Sequence, residues 1–252
     1  MGRFWQREKT TAKDIFIEVV SIVIIPVVII PLSLYLTPVM LNAVLPGNEN
    51  ICSAWPWWLM FLTLLLVDDG TQYWWHRLSH SSPFLYAFHR AHHSANYLSV
   101  RVVYRNSLLY YLFMPGIWLS AMLVFLGFGP VYVWYAIAKL TVIIAAHSSV
   151  AWDRPFFRYR ATRPIIWILA RIISTPTTHA AHHGLHASDR STHYKGNYGN
   201  FLFIWDLLFG TAKIGETRPS EFGIEDLSPA TWFQELIWPV VYEKKHESYQ
   251  DL

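Results

Sequence analysis

The stretch HRLSHSSPFLYAFHRAHH, residues 76–93, decides how the rest of this chain is interpreted. Its first set of histidines is His76 and His80, and its second set is His89, His92 and His93. On an α-helix, residues three or four positions apart lie on one face, so each set would present its imidazoles in one direction. A single histidine is usually a surface residue, but repeated sets with this spacing are typical of metal ligands.

A related trio follows about ninety residues later, and one more histidine lies between the sets. The trio is His179, His182 and His183, and the single residue is His147, at the end of an apolar segment. Together with the five histidines of residues 76–93, these four make nine of the twelve in the chain. We predict that all nine bind metal at one shared centre.

The composition indicates a membrane protein. Hydrophobic residues make up 53% of the 252 residues and charged residues only 15%, whereas soluble domains carry about 25% charged residues. The net charge is +3, and no basic stretch is interleaved with aromatic residues, so we expect no nucleic-acid partner. The single Cys52 excludes an internal disulfide, a four-cysteine zinc site and a protein-borne iron–sulfur cluster.

Four apolar runs predict an all-α integral membrane bundle of about four transmembrane or re-entrant helices. The runs are residues 15–36, 51–67, 108–128 and 131–146. A helix of 22 residues is about 33 Å long, which is enough for a bilayer core. We expect the first run to be a retained span, because it is too long for a signal peptide and no cleavage site follows it.

The remaining segments are assigned to one membrane domain that covers residues 1–252. We expect a cytoplasmic metal-binding cap from residues 68–107 and 147–212, and a polar C-terminal tail from residues 213–252. Within these segments the pattern predicts interfacial helices at 163–174 and 201–209 and a short amphipathic helix at 232–242.

The distribution of Lys and Arg predicts the orientation. Basic residues precede the first run, occur at residues 77–105 between the second and third runs, and follow the fourth run. The loop 42–54 and the turn 127–130 contain none. We therefore expect both termini and all nine histidines on the cytoplasmic side, in a bacterial inner membrane or an endoplasmic reticulum.

Two charged residues in this scheme need partners. Asp69 lies seven residues before His76, and Lys139 lies eight before His147. Because a lone charge inside a bilayer is costly, we expect Lys139 to pair with Asp69 or with its neighbour Asp68.

The chemistry of the cluster limits the kind of metal site. Neutral imidazole suits zinc, iron, copper and nickel. Nine imidazoles exceed what one ion can hold and suffice for two ions with an open position. The zinc-protease motif H-E-x-x-H and the Glu-x-x-His motif of soluble di-iron bundles are both absent. The sequence therefore predicts an all-nitrogen dinuclear site at a membrane surface.

The chain resembles the membrane-bound fatty acid hydroxylase and sterol desaturase superfamily over about residues 60–212. Besides His147, the resemblance rests on these motifs: Asp69 with YWWHRLSH at 73–80, HRAHH at 89–93, TP at 175–176 with HAAHH at 179–183, NYG at 197–199, and WDLLFGT at 205–211. It implies a di-iron centre that activates O₂ and hydroxylates or desaturates a lipid such as a sterol, fatty acyl chain or carotenoid. Zinc is a possible substitute in purified protein.

One position departs from the pattern of this superfamily. Some members have a further histidine four residues after the one that ends the fourth apolar run, and this chain has Ala151 there. His186 or His193 is a candidate replacement, and otherwise the site has one ligand fewer. Asp206 and Asn197 are candidates to hold histidine N–H groups from outside the ligand sphere.

The chain shows no cofactor motif that could supply electrons. We therefore expect an external donor: a ferredoxin, a flavin reductase or a b-type cytochrome. The alternative from another class is a membrane metal-ion transporter or metal-binding protein without redox catalysis. Such a transporter should place ionisable residues near the middle of several spans, whereas here the histidines are expected at one face.

Overall fold

A computed structural model of the chain describes residues 10–238, and it confirms that this part is all-helical. No strand forms in it beyond the two isolated bridges Ile173–Leu202 and Gly184–Phe222. The helices are Ala12–Val44, 57–81, Pro83–His93, Leu108–Leu112, Pro115–Leu123, Gly129–Ala146, Arg154–Arg158, Arg163–Ile172, Pro176–His182, Ile204–Leu208 and Trp232–Ile237, with a 3₁₀ segment at Val100–Tyr104.

The N-terminal helix, Ala12–Val44, begins at a capping box between Thr11 and Asp14. It continues through Pro26, which has no backbone N–H donor, by way of a π-helical turn at Ile25–Ile29. This helix and the stretch Leu108–Ala146 are long and apolar enough to cross a membrane by length and composition.

The second helix, residues 57–81, differs from the predicted run 51–67 at its start. Residues 51–55 form turns, and the helix begins only after Pro56. It then passes through a π-helical turn at Leu65–Asp69 without a break and reaches Ser81. One continuous helix therefore carries the first two histidines, His76 and His80.

The predicted run 108–128 is not a single helix. It breaks at Met114, whose extended backbone is the conformation favoured before a proline, and a new helix begins at Pro115. That helix turns back at Gly127, which has φ of +111°. A side chain at Gly127 would meet the Ser53 backbone nitrogen at 2.9 Å, so the turn requires glycine. The loop near residue 50 and the turn near residue 127 are therefore in contact.

The second helix and the helix Gly129–Ala146 run side by side in the same direction. Phe61 contacts Tyr135 near their starts, and further along Lys139 Nζ lies 2.6 Å from Asp68 Oδ2. The expected pairing of Lys139 is thus found with Asp68 and not with Asp69. Asp69 instead accepts hydrogen bonds from Trp205 Nε1 and the backbone of Leu202.

The C-terminal segment contains a short helix that packs against the rest of the protein. The helix Trp232–Ile237 packs on the N-terminal helix, and its buried Glu235 pairs with Arg90 at 3.6 Å. Residues 1–9 and 239–252, including the end of the predicted helix 232–242, lie outside the described residues.

Helices form in both segments that were expected to be interfacial, and both are shorter than the predicted ranges 163–174 and 201–209. Arg163–Ile172 exposes Ile165, Trp167 and Ile168, and Ile204–Leu208 lies next to it. After Ile172 the chain forms the helix Pro176–His182, and a loop then leads to Ile204.

Candidate metal centre

The nine predicted histidines come together as two adjoining groups, all of them buried. Within each group the nearest ligand atoms of all members lie within 4.8 Å of one another. The first group is His76, His80, His89, His93 and His182, and the second is His92, His147, His179 and His183.

Each group draws on more than one of the histidine sets in the sequence. Pro83–His93 presents His89 and His93 to the first group, while His92 points to the second. Pro176–His182 divides in the same way, because His182 belongs to the first group and His179 to the second. In each trio the two adjacent histidines, His92 with His93 and His182 with His183, fall in different groups, because neighbouring positions on a helix point about 100° apart.

Backbone carbonyls orient four of the rings through Nδ1. The acceptors are Tyr198 O for His76, Val102 O for His92, Ile143 O for His147 and Gly196 O for His182, at 2.7–3.0 Å. A carbonyl can only accept, so each of these rings carries its proton on Nδ1. Their Nε2 atoms are therefore lone pairs, directed into the centre of the site.

A fifth ring, His89, is held by a side chain. Its Nδ1 donates to Asn106 Oδ1 at 2.7 Å, while Asn106 Nδ2 donates to the hydroxyl of Tyr111 at 3.0 Å. That hydroxyl donates in turn to the carbonyl of Val103 at 3.0 Å. Because the chain of donors ends on a carbonyl, its direction is fixed and His89 also presents an Nε2 lone pair. Asn106 belongs to none of the sequence motifs, so the sequence alone did not indicate its role in orienting His89.

The inward nitrogens have the properties expected of metal ligands. The Nε2 atoms of His76, His80 and His182 are buried and have no hydrogen-bond partner. In the other group, the Nε2 atoms of His92 and His147 lie 3.5 Å apart although both are lone pairs. Two facing lone pairs repel each other unless a cation lies between them. The donor set therefore fits bound metal ions.

Burial also sets the protonation state. It lowers the pKa of His76 and of His147 to about 4, in each case chiefly through desolvation. The pKa values of the other seven are likewise lowered by burial, with added repulsion from neighbouring imidazoles. All nine rings are thus neutral at pH 7, which is the form that binds metal.

The two candidate replacement ligands lie elsewhere. His186 is on the surface, where its two ring nitrogens contact Glu225 and Glu221 at 2.6 and 2.9 Å. The Nε2 of His193 contacts the carbonyl of Thr211 at 3.1 Å. Neither residue belongs to a histidine group, and the buried Ala151 contributes no ligand. The second group accordingly has four members and the first has five.

Asp206 and Asn197 act on the site indirectly, and not through the direct histidine contacts that were expected. Asp206 accepts hydrogen bonds from the backbone of Tyr198 and Gly199 and so fixes the carbonyl that orients His76. Asn197 bridges the carbonyls of Thr178 and Lys213. Both residues hold the loop over the site in place.

A cavity of about 290 Å³ extends from the histidines between the helices. His76, His89, His92 and His147 line one end of it. Its walls come from the N-terminal helix, the second helix and the pair Pro115–Leu123 and Gly129–Ala146, and they are mostly apolar. A long apolar molecule could therefore reach the inward nitrogens of both groups.

Comparisons with known proteins agree with this geometry. The fatty acid hydroxylase family model matches residues 61–211, and the chain belongs to that family. An alkylglycerol monooxygenase from Danio rerio is 31% identical over 161 residues, which are 63% of this chain and 31% of that protein. Ornithine lipid hydroxylase OlsE from Rhizobium tropici is 29% identical over 170 residues, 68% of this chain and 46% of that protein.

The chain therefore spans between about a third and a half of the length of these relatives. The human alkylglycerol monooxygenase matches over a similar region at 29% identity. No solved structure matches the chain significantly. The family and the histidine groups together fit an iron-dependent oxygenase.

Proposed function

We propose that this chain is a membrane-embedded di-iron oxygenase that uses O₂ and external electrons to hydroxylate, or in a variant outcome to desaturate, a C–H bond of a lipid. The observation that carries the proposal is the set of inward-directed imidazole lone pairs at the end of an apolar cavity. Relatives named as monooxygenases and hydroxylases of lipids support it.

In this proposal the nine histidines hold two iron ions, five ligands for one and four for the other. Bound iron would supply O₂ activation and the oxidising power needed to break an unactivated C–H bond. The chain supplies the remaining requirements. Carbonyls and Asn106 hold the imidazoles in one tautomer, and the buried cap over the histidines excludes water from them.

The cavity would orient the substrate. Its apolar walls favour a hydrocarbon chain, and the histidines His76 and His147 in its lining would set which carbon meets the metals. Both apolar stretches that could cross a membrane contribute to these walls, so a lipid could enter from the bilayer without passing through water.

The membrane arrangement is part of the same proposal. We place the chain as a multi-pass protein with its metal site and termini on the cytoplasmic side of a bacterial inner membrane or an endoplasmic reticulum. The pattern of basic residues supports this side, and the contact between loop 48–55 and the turn near Gly127 supports two loops on the opposite side. A ferredoxin, flavin reductase or b-type cytochrome would deliver electrons to the exposed cytoplasmic face.

The test combines metal analysis with product analysis. Protein purified in nanodiscs and loaded with iron should hold two ions per chain. With a ferredoxin and its reductase it should consume O₂ only when lipid is present. Mass spectrometry of lipid extracts, with and without the gene, should show one species that gains an oxygen atom or loses two hydrogens.

Measuring metal flux with the same protein distinguishes the oxygenase from the alternative, a metal-ion transporter. Metal flux across liposomes without lipid oxidation would overturn the oxygenase and favour transport. Within residues 10–238 the histidines gather at one end of the helices and do not line a path through them, so we expect no flux.

A further inference from the structure

The cavity contains a second polar region, away from the histidines. Asp68, Gln72 and His76 follow one another at four-residue intervals on the second helix, so they lie on one face. Lys139, Ile143 and His147 do the same on the helix Gly129–Ala146. All six line the cavity. At 1.5 Å per residue, the Asp68–Lys139 pair lies about 12 Å from the histidines, and Gln72 lies about halfway between them.

Several polar atoms in this region have unused hydrogen-bonding capacity. The Oε1 of Gln72 is buried without a partner, and so is the hydroxyl of Ser120, a residue that is 3% exposed. Ser120 lies one turn beyond Gly116, whose Cα packs against the Asp68 carboxylate. Lys139 has three N–H donors, and its recorded hydrogen bond to Asp68 uses one of them. Unsatisfied groups in an otherwise apolar wall are costly unless a ligand completes them.

The two charges that line this region of the cavity pair with each other, while the neighbouring Asp69 is outside the lining and accepts hydrogen bonds from Trp205 and Leu202. Lys139 Nζ lies 2.6 Å from Asp68 Oδ2, and the hydroxyl of Tyr135 donates to the same oxygen at 2.7 Å. A carboxylate, phosphate or ammonium group placed here would add an unpaired buried charge. A neutral hydroxyl would not, and it can both accept from Lys139 and donate to Gln72 Oε1.

We infer that Gln72 and the Asp68–Lys139 pair form a binding subsite for a neutral hydroxyl group of the lipid substrate, about 6–12 Å from the metal-binding histidines. The inference rests on the proposed function in one respect, since it takes the cavity to be the lipid site. It adds a substrate class: a lipid whose oxidised carbon and a neutral hydroxyl are separated by this length of hydrocarbon.

The test measures binding and needs no turnover. Zinc-loaded protein in nanodiscs is titrated with tritiated cetyl alcohol, and hexadecane and palmitate are used as competitors. We expect the alcohol to bind about tenfold tighter than the alkane, as two hydrogen bonds of ordinary strength would give, and palmitate to gain no advantage over the alkane. Equal affinity for alcohol and alkane, or a preference for palmitate, would overturn the subsite.

Two variants locate the effect. Gln72→Leu should reduce the preference for the alcohol about two- to tenfold, and Asp68→Asn combined with Lys139→Met should reduce it further. Leu140→Met, a volume-conserving change in the same wall, is the matched control and should leave the preference intact. Zinc content and helical circular dichroism show whether each variant is folded, and a folded Gln72→Leu protein with unchanged preference would refute the inference.

The outcome is separable from that of the proposed function. An alcohol preference in a protein that never oxidises lipid would keep the subsite and reject the oxygenase. Oxidation of lipid by a protein without that preference would do the reverse.

Discussion

The rings of His93 and His183 stack with their centroids 4.4 Å apart and an interplanar angle of 18°, although the two residues belong to different histidine groups. This contact joins the two groups into one site. A change in either group therefore alters the packing of the other, and in the proposed di-iron site the two ions should not bind independently.

The unequal size of the groups gives the first prediction. His147→Ala leaves three ligands in the second group, whereas His80→Ala leaves four in the first. We expect His147→Ala to lose about half of the bound metal and His80→Ala to retain more of it. Metal per chain, measured by mass spectrometry, tests this ranking. His186→Ala is the control, because this exposed residue lies outside both groups, and a loss of metal in that variant would contradict the assignment.

The second prediction concerns Asn106. Replacing it with Leu removes the acceptor that fixes the tautomer of His89, so metal affinity should fall about 10- to 100-fold. Asn106→Asp keeps an acceptor oxygen and should restore most of the affinity, while Tyr111→Phe removes only the outer hydrogen bond and should have a smaller effect. Competition with a chelator measures all three. Equal affinity for the Leu and Asp variants would show that Asn106 has only a packing role.

The third prediction concerns the buried pair of Asp68 and Lys139. Asp68→Ala and Lys139→Ala should each destabilise the protein, because each leaves the other charge unpaired at a side-chain exposure of about 10%. The double change should cost less than the sum by about 0.5–3 kcal/mol. Thermal unfolding in detergent measures the cycle, for which Asp69→Ala with Lys139→Ala is the matched comparison. A cycle that is strictly additive for Asp68 is incompatible with the pairing.

The fourth prediction concerns acid stability without metal. The pKa values of His76 and His147 are about 4 in the folded chain and about 6.5 when unfolded. Between these values the unfolded state binds more protons, so the stability of the metal-free protein should fall as the pH drops below about 6.5. Bound metal should shift this loss to lower pH, because protons must then compete with the ions. Unfolding midpoints from pH 8 to pH 4, with and without metal, test it. A metal-free protein with a flat profile would show that the imidazoles are not buried.

The sequence predicted the nine histidines but not how they divide into groups. Spacing shows which residues share a helix face, whereas the placement of His182 beside His76 depends on how distant helices pack. The carbonyl groups that accept hydrogen bonds from the histidine rings could not be predicted either, since every residue has a carbonyl and only the fold decides which one faces a ring.

The differences between the predicted and the observed helices, in contrast, have local causes. The second span was expected to start at residue 51, but turns continue there although the residues are mostly apolar, and the helix begins only after Pro56. The choice between Asp68 and Asp69 depended on the π-helical turn at Leu65–Asp69, which inserts an additional residue into the helix and rotates what precedes it. No hydrophobic pattern signals such a turn.

The division of the histidines has a consequence for how the protein is made. A growing chain that has reached residue 150 already contains four of the five members of the first group, but only His92 and His147 of the second. In the proposed two-ion site, the first ion could therefore bind while synthesis is still under way, whereas the second would wait for the helix that carries His179. Metal loading would then follow the order of translation, and the second ion would fasten the two ends of the site together as the last step of maturation.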